Sequence, residues 1–181
     1  MEAMDPQQRC LLEAVLESNA RGVLHDNAAV HTSHQSMAHF GVFVGAWESH
    51  YAAQNVAGTS LPGPHTGVGG LLSVVCGRVS YMFGMQGPSM CVDTACSASL
   101  VATHIASAAL TDSECDQFVS AGVSISVGMF SYAGIAAASM SSTDGRCKTL
   151  DILADGYGKG ECCGVVQATV PKAETSAEAL N

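Results

Sequence analysis

The sequence predicts an α/β layered fold with a largely buried sheet, and three observations predict it. Strand-like apolar runs alternate with stretches of helical period, the order that builds a sheet covered by helices. One run, Gly41-Val42-Phe43-Val44-Gly45, is apolar throughout and bounded by glycines, the mark of a strand buried on both faces. Of the 181 residues, 48% are hydrophobic and only 13% charged. More than a third are Ala, Gly or Ser, which lets backbone layers approach closely.

Each element follows from local chemistry. Asp5 can cap a helix, Pro6 suits its first position, and Gln8 can reach back as in a capping box. Leu11, Leu12, Val15 and Leu16 then make one apolar stripe. Residues 21–40 are polar and His-rich and read as a loop, followed by the strand at 41–45. Residues 55–65 hold two prolines and two glycines, a second long loop. From 66 to 83 the period is helical, on Leu71, Leu72, Val75, Val79 and Met82. Gly87-Pro88 is a turn, 89–92 a short strand, 97–110 an Ala-rich helix, 118–127 a strand, 132–140 a helix and 163–170 a last strand. Residues 1–170 form one unit without internal repeats, and 171–181 are a polar tail that is expected to fray.

Composition excludes several classes of function. A formal net charge of −9 with only seven Lys plus Arg leaves no basic face for phosphates, so neither nucleic acid nor an anionic membrane surface fits as partner. Residues 118–143 are uncharged and long enough to span a bilayer. Their seven serines and three glycines, and a change from strand-like to helix-like pattern, read instead as a buried strand and a helix. The start, Met1 to Arg9, has no basic segment leading into an apolar run, so no secretory signal is visible. The eight cysteines form no CxxC pair in a chain too rich in core to need disulfides, which points to a reducing, intracellular (cytoplasmic) setting. His31 and His34 form an HxxH without a second ligand pair, so no metal site is expected.

The chemistry concentrates at Cys96. In Gly87-Pro88-Ser89-Met90-Cys91-Val92-Asp93-Thr94-Ala95-Cys96-Ser97-Ala98 a turn launches a strand, and a cysteine sits where the strand gives way to a helix. The small neighbours Ala95, Ser97 and Ala98 permit the sharp elbow that exposes a nucleophile. At such a helix start, unpaired amides and the dipole favour negative charge and so the reactive thiolate. Those amides could also hold a developing oxyanion. Cys91, mid-strand among apolar neighbours, reads as a small hydrophobe. His104 lies eight residues on, roughly 12 Å along a helix, too far to serve Cys96 directly. It reads as a packing or capping residue, and the other six histidines all precede residue 66.

The stretch GPSMCVDTACSASL closely resembles the active-site segment of β-ketoacyl synthases, the condensing enzymes of polyketide and fatty-acid synthesis. MDPQQRCLLE resembles the early helix motif of type I polyketide synthases, and GVFVG with Tyr51 the next strand and helix. CGRVSYMFGMQGPS resembles the approach to the nucleophile, and SSTDGRCKTLDILADGYGKGECCGVV a later loop and strand. The resemblance implies a thiolase-like α/β/α/β/α fold, of which this chain is mainly the N-terminal half. It implies a homodimer in which the strand at 89–92 pairs with its twin. It also implies that Cys96 accepts an acyl group from the phosphopantetheine of an acyl carrier protein, with its own backbone N–H as one oxyanion donor. A decarboxylative Claisen condensation with a malonyl-type extender would follow. No bound cofactor or metal is implied.

Departures accompany the match. The family's partner histidines, in HGTGT-like and GHxE-like segments, are absent, and no histidine follows His104. The opening strand and the Gly-rich segment of the second oxyanion donor are also missing. Cys162 stands where glycine is usual and Lys159 where arginine is frequent. The expectation is a partial domain, inactive in condensation alone, with a wide apolar face uncovered. The alternative is a natural truncation that acts as a non-catalytic dimerising or carrier-binding module. A cysteine hydrolase fits less well, because its elbow prefers glycine at the positions of Thr94 and Ala98.

Overall fold

The structure is a computed structural model that describes residues 4–25, 37–47, 51 and 65–170. Its centre is β1 (Phe40–Ala46), buried at every residue. None of its side chains needs water, so strands can cover both its edges and helices both its faces. β2 (Ser89–Val92) and β3 (Gln117–Ser124) flank it in parallel, and β4 (Cys162–Thr169) runs antiparallel to β3. The strand order is β2-β1-β3-β4. The described helices are α1 (Pro6–His25), α2 (Thr66–Gly70), α3 (Leu72–Phe83), α4 (Ala98–Thr111) and α5 (Phe130–Ala137).

Alternation along β1 and β3 feeds two cores. Val42, Val44 and Ala46, with Val119, Ala121 and Val123, meet Leu11 and Val15 of α1 and Val75, Cys76 and Val79 of α3. On the opposite face Phe43 and Phe118 pack edge to face, ring centroids 6.5 Å apart, against Ala102, Ala106 and Ala109 of α4. That alternation of four- and three-residue alanine spacing gives α4 a flat face that lies close on the sheet.

The predicted elements are present, with boundaries that differ for physical reasons. Asp5 caps α1, its Oδ1 accepting the Gln7 N–H at 2.8 Å. The capping box does not form, because the Asp5 N–H donates to the Gly69 carbonyl at 2.9 Å, while Gln8 Nε2 donates to the Val68 carbonyl of α2. α1 continues to His25, so the loop expected from residue 21 starts later. Leu11 and Val15 are fully buried, but Leu16 is 60% exposed and leaves the stripe. The helix expected at 66–83 is interrupted at Leu71, whose extended backbone (φ −79°, ψ 130°) separates α2 from α3. β3 stops at Ser124 rather than 127, and α5 occupies Phe130–Ala137 rather than 132–140. The rest of the 21–40 loop up to 36, most of the 55–65 loop, His31, His34 and the tail lie outside the described residues. Among the described residues, no helix is long and apolar enough to cross a membrane, and no group of three or more His, Cys, Asp or Glu side chains could hold a metal.

Candidate active site

β2 ends at Val92, and the chain turns through Asp93 and Thr94 into one turn of 3-10 helix, Ala95–Ser97, before α4 begins at Ala98. Cys96 therefore sits in that tight turn, one step before the α-helix that the sequence predicts from residue 97. The turn is built by side chains that replace backbone partners. Asp93 Oδ1 accepts the Ala95 N–H at 2.9 Å. Ser97 Oγ donates to the Thr94 carbonyl and to Thr94 Oγ1, each at 2.9 Å. Ala95 adopts φ +53°, a left-handed conformation that costs a non-glycine residue about 1–2 kcal/mol. The amides that close the turn belong to Ser97 and Ala98, so the Cys96 N–H is not one of them. The Cys96 side chain is exposed.

A row of glycines seats this elbow on the sheet. Val92, Gly45, Gly122 and Gly164 are register partners across β2, β1, β3 and β4. A Cβ on Gly45 would lie 2.3 Å from the Ser99 amide nitrogen, and one on Gly122 would lie 2.6 Å from Ser99 Cβ. The first turn of α4 thus rests directly on backbone. One turn further, Thr103 Oγ1 donates to the Ser99 carbonyl at 2.8 Å and meets the buried Ser120 hydroxyl at 2.9 Å.

Exposure separates the cysteines. Cys76 and Cys115 are buried, and Cys10, Cys91 and Cys163 are half-buried. Burial first, then the neighbouring Cys76 thiol and Asp93 carboxylate, pushes the Cys91 thiol up to about 11. Burial also raises Cys163 to about 11, with Cys10 and Cys162 adding to it. Cys96, Cys147 and Cys162 are exposed, and Cys147 Sγ accepts the Gly158 N–H at 3.2 Å.

Residues 1–167 match the family described as the β-ketoacyl synthase N-terminal domain. The chain belongs to the β-ketoacyl synthases. It is 39% identical over 166 residues to a non-reducing polyketide synthase of Penicillium roqueforti, covering 91% of this chain and 6% of that protein. It is 38% identical over 165 residues to a phenolphthiocerol/phthiocerol polyketide synthase of Mycobacterium tuberculosis, covering 91% of this chain and 8% of the relative. The oxazolomycin ketosynthase domain of Streptomyces albus superposes with a TM-score of 0.75 at 33% identity, over 98% of this chain and 30% of that one. A ketosynthase of the bacillaene synthase of Bacillus subtilis superposes at 0.72 with 30% identity, over 98% and 28%. The ketosynthase chain thus spans under a tenth of these two curated relatives and about 30% of the solved domains. The fold is that of the thiolase-like ketosynthase domains. The likeness to condensing domains does not favour the non-catalytic module.

Within this partial ketosynthase domain, no described histidine is hydrogen-bonded to Cys96. His39 precedes β1 at the opposite end of the sheet, His65 precedes α2, and His104 is exposed on α4 rather than packed or capping. The loop between α5 and β4 returns to the Cys96 end and is fixed by charge. Lys148 Nζ lies 2.8 Å from Asp155 Oδ1 and 3.2 Å from Asp144 Oδ1. Ser142 Oγ meets both carboxylates, at 2.7 Å and 2.8 Å, and Thr143 Oγ1 donates to Asp155 Oδ2. Lys148 and these hydroxyls hold Asp155 far below the usual carboxylate range. The sequence reading missed this network. Its signal was a Ser-Thr-Asp run with a lysine and a second aspartate close behind.

Proposed function

We propose that this chain is the acyl-accepting part of a polyketide-type condensing enzyme, with Cys96 as nucleophile. The supporting observation is the exposed thiol on a strained turn that closes without using the Cys96 amide. The thiolate attacks the thioester carbonyl of an acyl group carried on the phosphopantetheine of an acyl carrier protein. A new C–S bond forms, and the pantetheine sulfur leaves as a thiolate that takes up a proton. The Cys96 amide donates to the oxyanion formed in between. In the condensing step the extender's C–CO2 bond breaks, and its electron pair makes the new C–C bond at the acyl carbon. Carbon dioxide and the Cys96 thiolate are released. The proton and carbanion management this needs falls to groups outside these 181 residues, since no histidine follows His104. The 181-residue chain alone is therefore expected to accept acyl groups without condensing them. It acts as a homodimer paired at β2, in the reducing, intracellular setting where eight free thiols persist.

The test is incubation of the chain with an acyl thioester of a pantetheine analogue, followed by peptide mass spectrometry. Acylation is expected on Cys96 and is lost in Cys96→Ser. Acylation at Cys147 or Cys162 with Cys96 unmodified would reject the assignment.

A further inference from the structure

A cavity of about 230 Å³ opens at the carboxyl ends of β1 and β3. Its apolar wall is made by Trp47, Ile125, Ile135 and Met140, and its one charged lining residue is Lys159. The buried Gln7 amide ties two walls together, accepting the Ile125 N–H at 3.1 Å and donating to the Trp47 carbonyl at 3.5 Å. Lys159 Nζ lies 5.1 Å from the centroid of the Tyr132 ring. Among the described residues it forms no ion pair. Glu161, two residues on, is instead turned to the Ser126 amide, which donates to its Oε1 at 2.6 Å.

An ammonium on a half-buried lysine, whose described partner is an aromatic face, calls for an anion. The wall beside it calls for a hydrocarbon chain. The volume lies below the roughly 300–1,000 Å³ of drug-sized sites, so the ligand is short. We propose that this cavity binds a short aliphatic carboxylate, the carboxylate on Lys159 and the chain along Trp47, Ile125, Ile135 and Met140. Cys96 does not line it, so the proposal stands apart from the role given to that thiol.

Trp47 is the only tryptophan of the chain, so its fluorescence reports on this cavity directly. Titration of the 181-residue protein with hexanoate is expected to give a saturable change, with hexanol and hexylamine binding about tenfold more weakly or worse. Lys159→Gln should weaken hexanoate by about tenfold and leave hexanol unchanged, while Lys159→Arg retains hexanoate. Alkylating the exposed thiols with iodoacetamide should not alter the titration, so a failure of the Cys96 assignment and a failure of this site are read separately. A non-saturable response, or equal affinity for hexanoate and hexanol, would overturn the proposal. So would unchanged hexanoate affinity in Lys159→Gln. If that variant loses its circular dichroism spectrum, the wild type decides: hexanoate affinity must fall as salt rises, and insensitivity to salt overturns the proposal.

Discussion

Cys91 and Cys96 lie five residues apart in one strand–turn unit, yet one is half-buried and the other exposed. Cys91 is in register with Val44 and faces α3, where burial holds its thiol neutral and raises it to about 11. In the unfolded chain it titrates near the ordinary thiol value of 9.0. A thiol raised by folding contributes stability that is complete below pH 9 and is lost as pH climbs through about 11. Cys163 adds to the same window. Thermal melts between pH 8 and pH 11 should therefore show a falling Tm, and a Cys91→Val, Cys163→Val double variant should flatten it. An identical fall in that variant would mean the loss originates elsewhere. Of this site, the position of Cys96 was legible because small residues crowd a strand–helix junction. The left-handed φ of Ala95 was not, since alanine carries no preference for that region and the conformation is imposed by Asp93 and the turn.

The glycine row makes a sharper claim for elements than for any residue in it. Gly45 and Gly122 lie under the first turn of α4, whereas a Cβ at their neighbour Gly164 meets nothing within 4 Å. Gly45→Ala must lift α4 off backbone and should cost about 3 kcal/mol or more, beyond ordinary overpacking. Gly164→Ala should be close to neutral, and equal Tm losses in the two variants would refute this reading of the row. The α5–β4 loop behaves as an element held by charge. The Asp155 and Asp144 carboxyls are lowered and the Lys148 ammonium is raised. The network's carboxylate contribution is thus present above the ordinary carboxylate range of about 4 and disappears as pH falls below it. Hydrogen exchange, corrected for intrinsic rates, should show protection of the Ser142 and Tyr157 amides falling between pH 5 and pH 2.5. Protection that stays constant would exclude the network as the cause. Strands and helices were legible from period and punctuation. The break at Leu71 was not, because the leucine stripe continues across it while the Gly69-Gly70 pair before it weakens the helix.

At the scale of the molecule, much apolar surface is left open. Leu150 and Ile152 are essentially fully exposed, and Leu100 and Leu153 are more than two-thirds exposed. β2 is an edge strand with Ser89 and Met90 exposed. Pairing of two copies along that edge predicts a sedimenting mass of twice 18.5 kDa. A lysine at Met90 should shift it to the monomer, as charge does on exposed edges. A wild-type mass of one chain would remove the paired edge from the proposal. The layered architecture was legible in the alternation of elements. Which faces stay open was not, because a helix or strand that is apolar on two sides reads the same whether a second layer covers it or not.

The reversed direction of β4 has a geometric consequence. Its last residue pairs with Gln117, and the Val170 amide donates to the Asp116 carbonyl, so the chain leaves the sheet at the foot of β3. The elbow stands at the head. An eight-residue strand is about 26 Å tall. Any later stretch of polypeptide that brings an imidazole to the sulfur must first climb the full height of the sheet. On the role proposed for Cys96, the reacting groups would then meet only after the whole layer is assembled, and a shortened linker in that region should abolish condensation without touching a single reactive atom.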